Sequence, residues 1–133
     1  MAFEGSQICI PGLIAGEDMT AAQYYIVKLS AANTVIVCDG ATDVPIGVLQ
    51  NAPDSGEAAT VCSAGVTKIS SNEAFTFGWL VGTSSDGQAD RKIWATDTTE
   101  YIIGQAITAS GAAAGLITAY IDCAVPVLAV TSN

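Results

Sequence analysis

The chain has 133 residues, 50% of them hydrophobic and 13% charged, against roughly 25% charged in an average globular domain. That balance excludes an intrinsically disordered chain, which is poor in apolar residues and rich in charge, and the length suits one domain with its own core. With 13 acids, 4 bases and no histidine the formal net charge is −9, so neither nucleic acid nor an anionic membrane surface is an expected partner.

The missing histidine narrows the chemistry. It removes the commonest proton-transfer group at neutral pH, the Ser-His-Asp and Cys-His arrangements, and any zinc site that contains histidine. No Gly-x-Ser-x-Gly elbow and no phosphate-binding loop ending in Gly-Lys-Ser/Thr occurs. Glu17-Asp18 is the one adjacent acid pair, and chain neighbours do not meet on a helix face or a strand face. Asp86-Gly87-Gln88-Ala89-Asp90 lacks the ligand spacing of a calcium loop. Catalytic, cofactor-binding and metal-binding residues are therefore all expected to be absent, and the protein is not expected to be an enzyme.

The elements follow in chain order. Residues 1–11 form an N-terminal extended arm, bounded by Pro11-Gly12, where proline blocks strand pairing and glycine permits a sharp turn. The arm lacks a basic segment and Glu4 interrupts it, so no signal peptide is expected. Alternation places Ile8 and Ile10 on one face and Gln7 and Cys9 on the other. Such a segment either adds to the sheet of a neighbour, with Phe3, Ile8 and Ile10 as its contacts, or forms the first strand of its own sheet. Glu17 to Gln23 suits one helical turn. Tyr24–Leu29 and Thr34–Cys38 are rich in β-branched and aromatic residues, and Ser30-Ala31-Ala32-Asn33 joins them as a hairpin. Further strands are expected at Ile46–Gln50, Ala58–Cys62, Val66–Ser70, Trp79–Val81, Lys92–Ala95, Tyr101–Ile107, Leu116–Ile121 and Val125–Val130, with a second hairpin at Asp86-Gly87. Tyr101 to Ile121 carries no charge, but Gly104, Gly111 and Gly115 interrupt it and two strands with a turn explain it better than a membrane span.

Two segments echo each other. Ile46-Gly47-Val48-Leu49-Gln50 precedes a Ser55-Gly56 turn, and Ile103-Gly104-Gln105-Ala106-Ile107 precedes Ser110-Gly111. Glycine inside a strand marks a bulge, a bend or a close backbone approach. These features predict a mainly β fold: one small, compact β-barrel or β-tulip-like domain of short strands, with at most one or two short helical turns and quasi-symmetric parts. The domain spans residues 12–123, and residues 124–133 add an apolar C-terminal strand or tail. Cys9, Cys38, Cys62 and Cys123 show no Cys-x-x-Cys spacing. They read as small buried hydrophobes with free thiols, or as one or two disulfides among three possible full pairings. Phe75, Phe77, Trp79 and Trp94 read as core, or as a subunit interface, where aromatics are enriched.

One order of motifs is more informative. Gly12-Leu13-Ile14-Ala15-Gly16-Glu17-Asp18 leads into Tyr25-Ile26-Val27-Lys28-Leu29. Then come Pro45-Ile46-Gly47-Val48-Leu49-Gln50, Ser55-Gly56-Glu57-Ala58-Ala59-Thr60-Val61, Gly78-Trp79-Leu80, Ser85-Asp86-Gly87 and Ile102-Ile103-Gly104-Gln105-Ala106. Over residues 12 to 121 this resembles the capsid cement, or head decoration, proteins of tailed bacteriophages. The resemblance implies a structural virion protein on the outer surface of an icosahedral capsid. It would sit as a homotrimer on the major capsid protein, bridging neighbouring subunits against the pressure of packaged DNA, with no catalytic residues. Another β-rich phage module, such as a tail or fibre domain, is the alternative. An enzyme or small-ligand barrel would instead show a pocket with a charge-perturbed acid.

Overall fold

The computed structural model describes residues 2–124 and 126–130. Within them the chain is built of twelve short strands joined by turns. The first half holds β1 (Gln7–Ile10), β2 (Ile14–Ala15), β3 (Ile26–Ala31), β4 (Thr34–Val37), β5 (Gly47–Leu49) and β6 (Val61–Ser70). The second holds β7 (Leu80–Thr83), β8 (Ala89–Arg91), β9 (Tyr101–Ile102), β10 (Gly104–Ala106), β11 (Leu116–Asp122) and β12 (Val127–Leu128). Ten strands form one sheet in the order β2-β4-β3-β5-β6-β11-β10-β7-β8, with β1 added onto β6, while β9 and β12 pair separately. Residues 101–121 thus form β9, β10 and most of β11, and no helix among the described residues is long and apolar enough to cross a membrane.

The order contains a repeat. β3 and β4 form a hairpin, β5 pairs with β3, and β6 pairs with β5; β7 and β8 form a hairpin, β10 pairs with β7, and β11 pairs with β10. The two four-strand units meet along the antiparallel β6·β11 ladder, which runs from Ser70↔Leu116 to Ala64↔Asp122. The Ile-Gly echo falls on the equivalent inner strands β5 and β10. A Cβ on Gly104 would stand 2.9 Å from Ile121 Cα, and one on Gly47 would stand 3.0 Å from the carbonyl carbon of Cys62. Neither distance is open to a real side chain, so both glycines mark a close backbone approach.

The sheet is mainly β as predicted but does not close into a barrel. Closure would require β8 to lie alongside the β2–β4 edge. Instead the tip of the β7–β8 hairpin docks end-on: Ile26 N–H donates to Gly87 O at 2.7 Å. A single bridge, Ser71 to Ala89, links β8 to the chain just past β6. The expected helical turn over Glu17–Gln23 is also replaced, by two successive reverse turns. Ala22 N–H donates to Met19 O and Tyr25 N–H to Ala22 O, both at 3.0 Å, and Tyr24 takes the left-handed conformation at φ 69°. The two runs expected at Ala58–Cys62 and Val66–Ser70 are one strand, because the chain continues extended through Ser63-Ala64-Gly65. Lys92–Ala95 lies past the end of β8, in a turn. Of the expected last strand, Val127 and Leu128 pair with β9, and Val125 lies outside the described residues.

Two buried clusters hold the sheet. The larger contains Ile26, Val48, Cys62, Ile69, Val81, Ile103, Ile117 and Ile121. The smaller contains Leu13, Met19, Val27, Val35, Leu49 and Val61. Side chains alternate across a strand, so neighbours divide between the clusters: Ile26 and Val27, Val48 and Leu49, Cys62 and Val61. The first unit is therefore buried on both faces, its outer one under the segment carrying Leu13 and Met19. The second unit contributes only to the larger cluster. Each fully buried Val, Leu or Ile stabilises the fold by roughly 1.5–3 kcal/mol.

Lys92 is the exceptional core residue. Its side chain is 0% exposed and its ammonium contacts Asp90, at 3.0 Å, and Glu100, whose side chains remain 27% and 21% exposed. Lys92→Ala leaves these two carboxylates facing each other without the cation. The expected cost is about 3 kcal/mol, at the low end for a broken buried pair because both acids keep some water. Urea unfolding measures it, and Asp90→Asn added to Lys92→Ala should restore part of the loss. Gly104→Ala should cost a similar amount, about 2–3 kcal/mol, by forcing β10 away from β11; a drop in the urea midpoint with unchanged slope is the expected signature.

Candidate contact surface

The outer face of the β6·β11 ladder carries the most exposed apolar side chains near the centre of the sheet. Along β11, Leu116 and Tyr120 are exposed and Ile117, Ala119 and Ile121 buried, the alternation of a strand with one face in the core. Thr118 lies on the exposed parity yet is buried, because the N-terminal arm crosses it. Its hydroxyl accepts from Phe3 N–H and donates to Phe3 O. Gly5 N–H then donates to Val66 O at 3.0 Å, and Val66 N–H to Ser6 O at 3.1 Å. Gln7 Nε2 donates to Val66 O and Ser63 Oγ to Ile8 O. Gly65 makes this seat possible. It sits at φ +121°, and a Cβ there would stand 2.8 Å from Gln7 Cα.

Arm and ladder together frame an open groove of about 330 Å³, lined by Ser6, Gln7, Ile8, Ala64, Gly65, Val66 and Tyr120. Ile8 is 66% and Tyr120 60% exposed, and Phe3 47%. Tyr120 is the one ionisable side chain in the lining, and Ile8, Ala64 and Val66 make much of the rest apolar. Among the described residues, no group of three or more His, Cys, Asp or Glu could hold a metal ion.

The structure separates the three arm residues read together in the sequence. β1 pairs with its own β6, and the register shifts between Ile8 and Cys9. This bulge breaks the expected alternation. Ile8 stays on the exposed groove, while Ile10 packs against the smaller buried cluster. The aromatic set divides too. Phe75 is buried and meets Trp79 edge-on at 5.2 Å, and Arg91 stacks over Trp79 at 4.5 Å. Phe77 is 69% exposed, and Trp94 is exposed on the turn after β8. Tyr120 was not among the residues singled out by sequence; its signal was the apolar-polar alternation of residues 116–122.

Lys28, away from the groove, is tied up in the fold. Lys28 contacts Asp39 and, at 2.9 Å, Asp43. Burial pushes the Asp43 carboxyl up, but Lys28 and the N–H groups of Asp39 and Gly40 outweigh it and hold the group below its ordinary value. Hydrogen bonds to Asp39 and Asp43 raise Lys28 further into the alkaline range. All four cysteines are free. Burial pushes the Cys38 and Cys123 thiols up to about 12 and Cys62 up to about 11, so these three are poor nucleophiles at neutral pH.

No known protein family matches the sequence, and no curated protein matches it. Among solved structures, the chain is similar to the N base of head fiber gp8.5 of bacteriophage phi29. The likeness has a TM-score of 0.65 and covers 89% of this chain and 96% of that one, at 15% identity. The two share a fold. The match to the head-fiber base spans nearly the whole of both chains, and at this identity it is a likeness of backbone path.

The Asp43 contacts yield a pH prediction. A depressed carboxyl contributes stability above its unfolded value and loses it as pH falls through the folded value. Asp43→Asn should therefore lower stability at pH 7, and the gap to the parent should shrink as pH falls from about 5 to about 2, past the ordinary Asp value of ~3.9. Lys28, shifted the opposite way, stays charged throughout that window and loses its contribution only at strongly alkaline pH. Urea midpoints of both proteins across the window provide the measurement.

Proposed function

We propose that the protein is a structural component of a phage virion, seated on the outside of the head and needing no catalysis. The observation that carries this reading is the fold likeness to a head-fiber base over almost the full length of both chains. The motif order that resembles head decoration proteins points the same way from independent features. In this reading the groove beside the arm, with Ile8, Tyr120 and Phe3, meets the major capsid protein. The domain bridges neighbouring capsid subunits and adds contact energy to a shell that is already assembled. Three further features support it. The groove offers shape and apolar area without reactive groups. The net charge of −9 keeps the free protein soluble and away from DNA. Exposed apolar residues outside the groove, such as Phe77, Trp94 and Val127, provide surface for contact between copies, and a trimer around a local three-fold axis would close such a heterologous contact into a ring.

A second reading is favoured by the structural neighbour being the base of a head fiber: the domain is the base of a fibre, anchored on the head and carrying a further segment, rather than a free-standing cement. Both readings place it on the head; a gene lying beside tail genes would argue against either.

Binding to particles that lack the protein tests the proposal. The Ile8→Asp, Tyr120→Asp double variant should keep its thermal stability, since both side chains are exposed, yet bind at least about tenfold more weakly, the loss expected for two apolar anchors. Undiminished binding would remove the groove from the interface. An on-particle cryo-EM map without density for the protein on the head surface would refute the head location itself.

A further inference from the structure

The arm brings two cysteines face to face. In the β1·β6 register Cys9 lies directly opposite Cys62, next to the pair Ile10↔Val61. Residues directly opposite in an antiparallel ladder have Cα atoms roughly 4.5 or 5.5 Å apart, with side chains on a common face. Both separations fall within the roughly 4.4–6.8 Å that a disulfide spans. Cys9 is exposed to solvent and Cys62 is buried. The charge of Cys9 is felt at Cys62, where it adds to burial in pushing the thiol up. Cys38 and Cys123 lie outside the strands and face no cysteine across a ladder.

We propose that Cys9 and Cys62 form a redox pair whose disulfide locks the N-terminal arm onto the body of the domain. The exposed Cys9 thiolate attacks a low-molecular-weight disulfide, such as oxidised glutathione, and releases one small thiol. Cys62 then gives up its proton, and its sulfur displaces the second small thiol from Cys9 as the Sγ–Sγ bond forms. The two cysteines lose two electrons and two protons together, and the small disulfide is reduced to two thiols. The buried Cys62 makes the second step the slow one, because the thiolate is the attacking species. Without the bond, the arm is held only by β1 pairing, the Thr118 clasp and the packing of Ile10. With the bond, a covalent loop from residue 9 to residue 62 encloses β2 to β5, and the arm cannot leave its seat until the pair is reduced. This inference stands apart from the virion reading and does not need it.

The reduced full-length protein, folded and treated with oxidised glutathione, supplies the test. The expected product has lost two hydrogen atoms, retains no glutathione, yields a Cys9–Cys62 cross-linked peptide on digestion, and melts at a higher temperature until dithiothreitol is added. Cys9→Ser alters an exposed side chain, so it should fold like the reduced parent and show neither the mass loss nor the rise in melting temperature. A stable glutathione adduct on Cys9 as the end product, a Cys9–Cys9 dimer as the main product, or a bond to Cys38 or Cys123 would each overturn the proposal. Cys62→Ala, provided it melts cooperatively, should stop at the Cys9 adduct; if it still loses two hydrogen atoms within one chain, the assignment is wrong.

Discussion

The β6·β11 ladder is the constraint on which the rest of the molecule depends. It is the longest seam between two units with the same internal connectivity, and its seven pairs place Ile69 against Ile117 in the larger core. Cross-strand apolar pairs on a buried face are the unit in which sheets are stabilised. The seam also organises what lies outside it. β6 is ten residues long, longer than any other strand, and it pairs with β5, β11 and β1. The exposed groove exists because the arm reaches this same strand and stops short of covering all of β11.

The two units are alike in path and unlike in burial. The first needs a second apolar layer, because Val27, Val35, Leu49 and Val61 face away from the main core. The segment between β1 and β3 supplies it with Leu13, Ala15 and Met19. The second unit has polar or exposed residues at comparable places, such as Gln105, Tyr120 and Asp122, and on β8 its outer face is covered by a buried ion cluster around Lys92 instead of an apolar layer. One repeated topology thus yields a side committed to holding the domain together and a side left open for contact.

Much of the fold was legible in the residues. β-branched runs placed β3, β4, β5 and β11 within a residue or two, and Asn33 and Gly87 marked two hairpin turns that the structure keeps at φ 57° and 77°. The Ile-Gly steps were expected to mark a bulge, a bend or a close backbone approach, and the structure shows the close approach at both glycines. What escaped depended on partners distant in sequence. Closure of a barrel turns on how the Gly87 tip meets Ile26, which no local pattern encodes. The facing of Ile8 and Ile10 followed from strict alternation, and one bulge against Ser63 reversed it. Tyr120 lies in a run expected only to be a strand, and its exposure depends on where the arm stops across β11. That Cys9 lies opposite Cys62 is a matter of register across more than fifty residues, and no spacing rule reveals it.

The four basic side chains carry a consequence for how this molecule meets others. Lys28 and Lys92 are held by carboxylates, Lys68 lies over the Tyr24 ring at 5.7 Å, and Arg91 over Trp79. Each cation is thus engaged within its own chain, and the long-range field that reaches a neighbour is that of the remaining acids. Copies approaching one another repel once they come within about a Debye length, ~10 Å at 0.1 M salt and longer in more dilute buffer. Close-range apolar contact must then drive any self-association. Added salt should accelerate such an encounter, the reverse of the behaviour of proteins that find their partners by charge attraction.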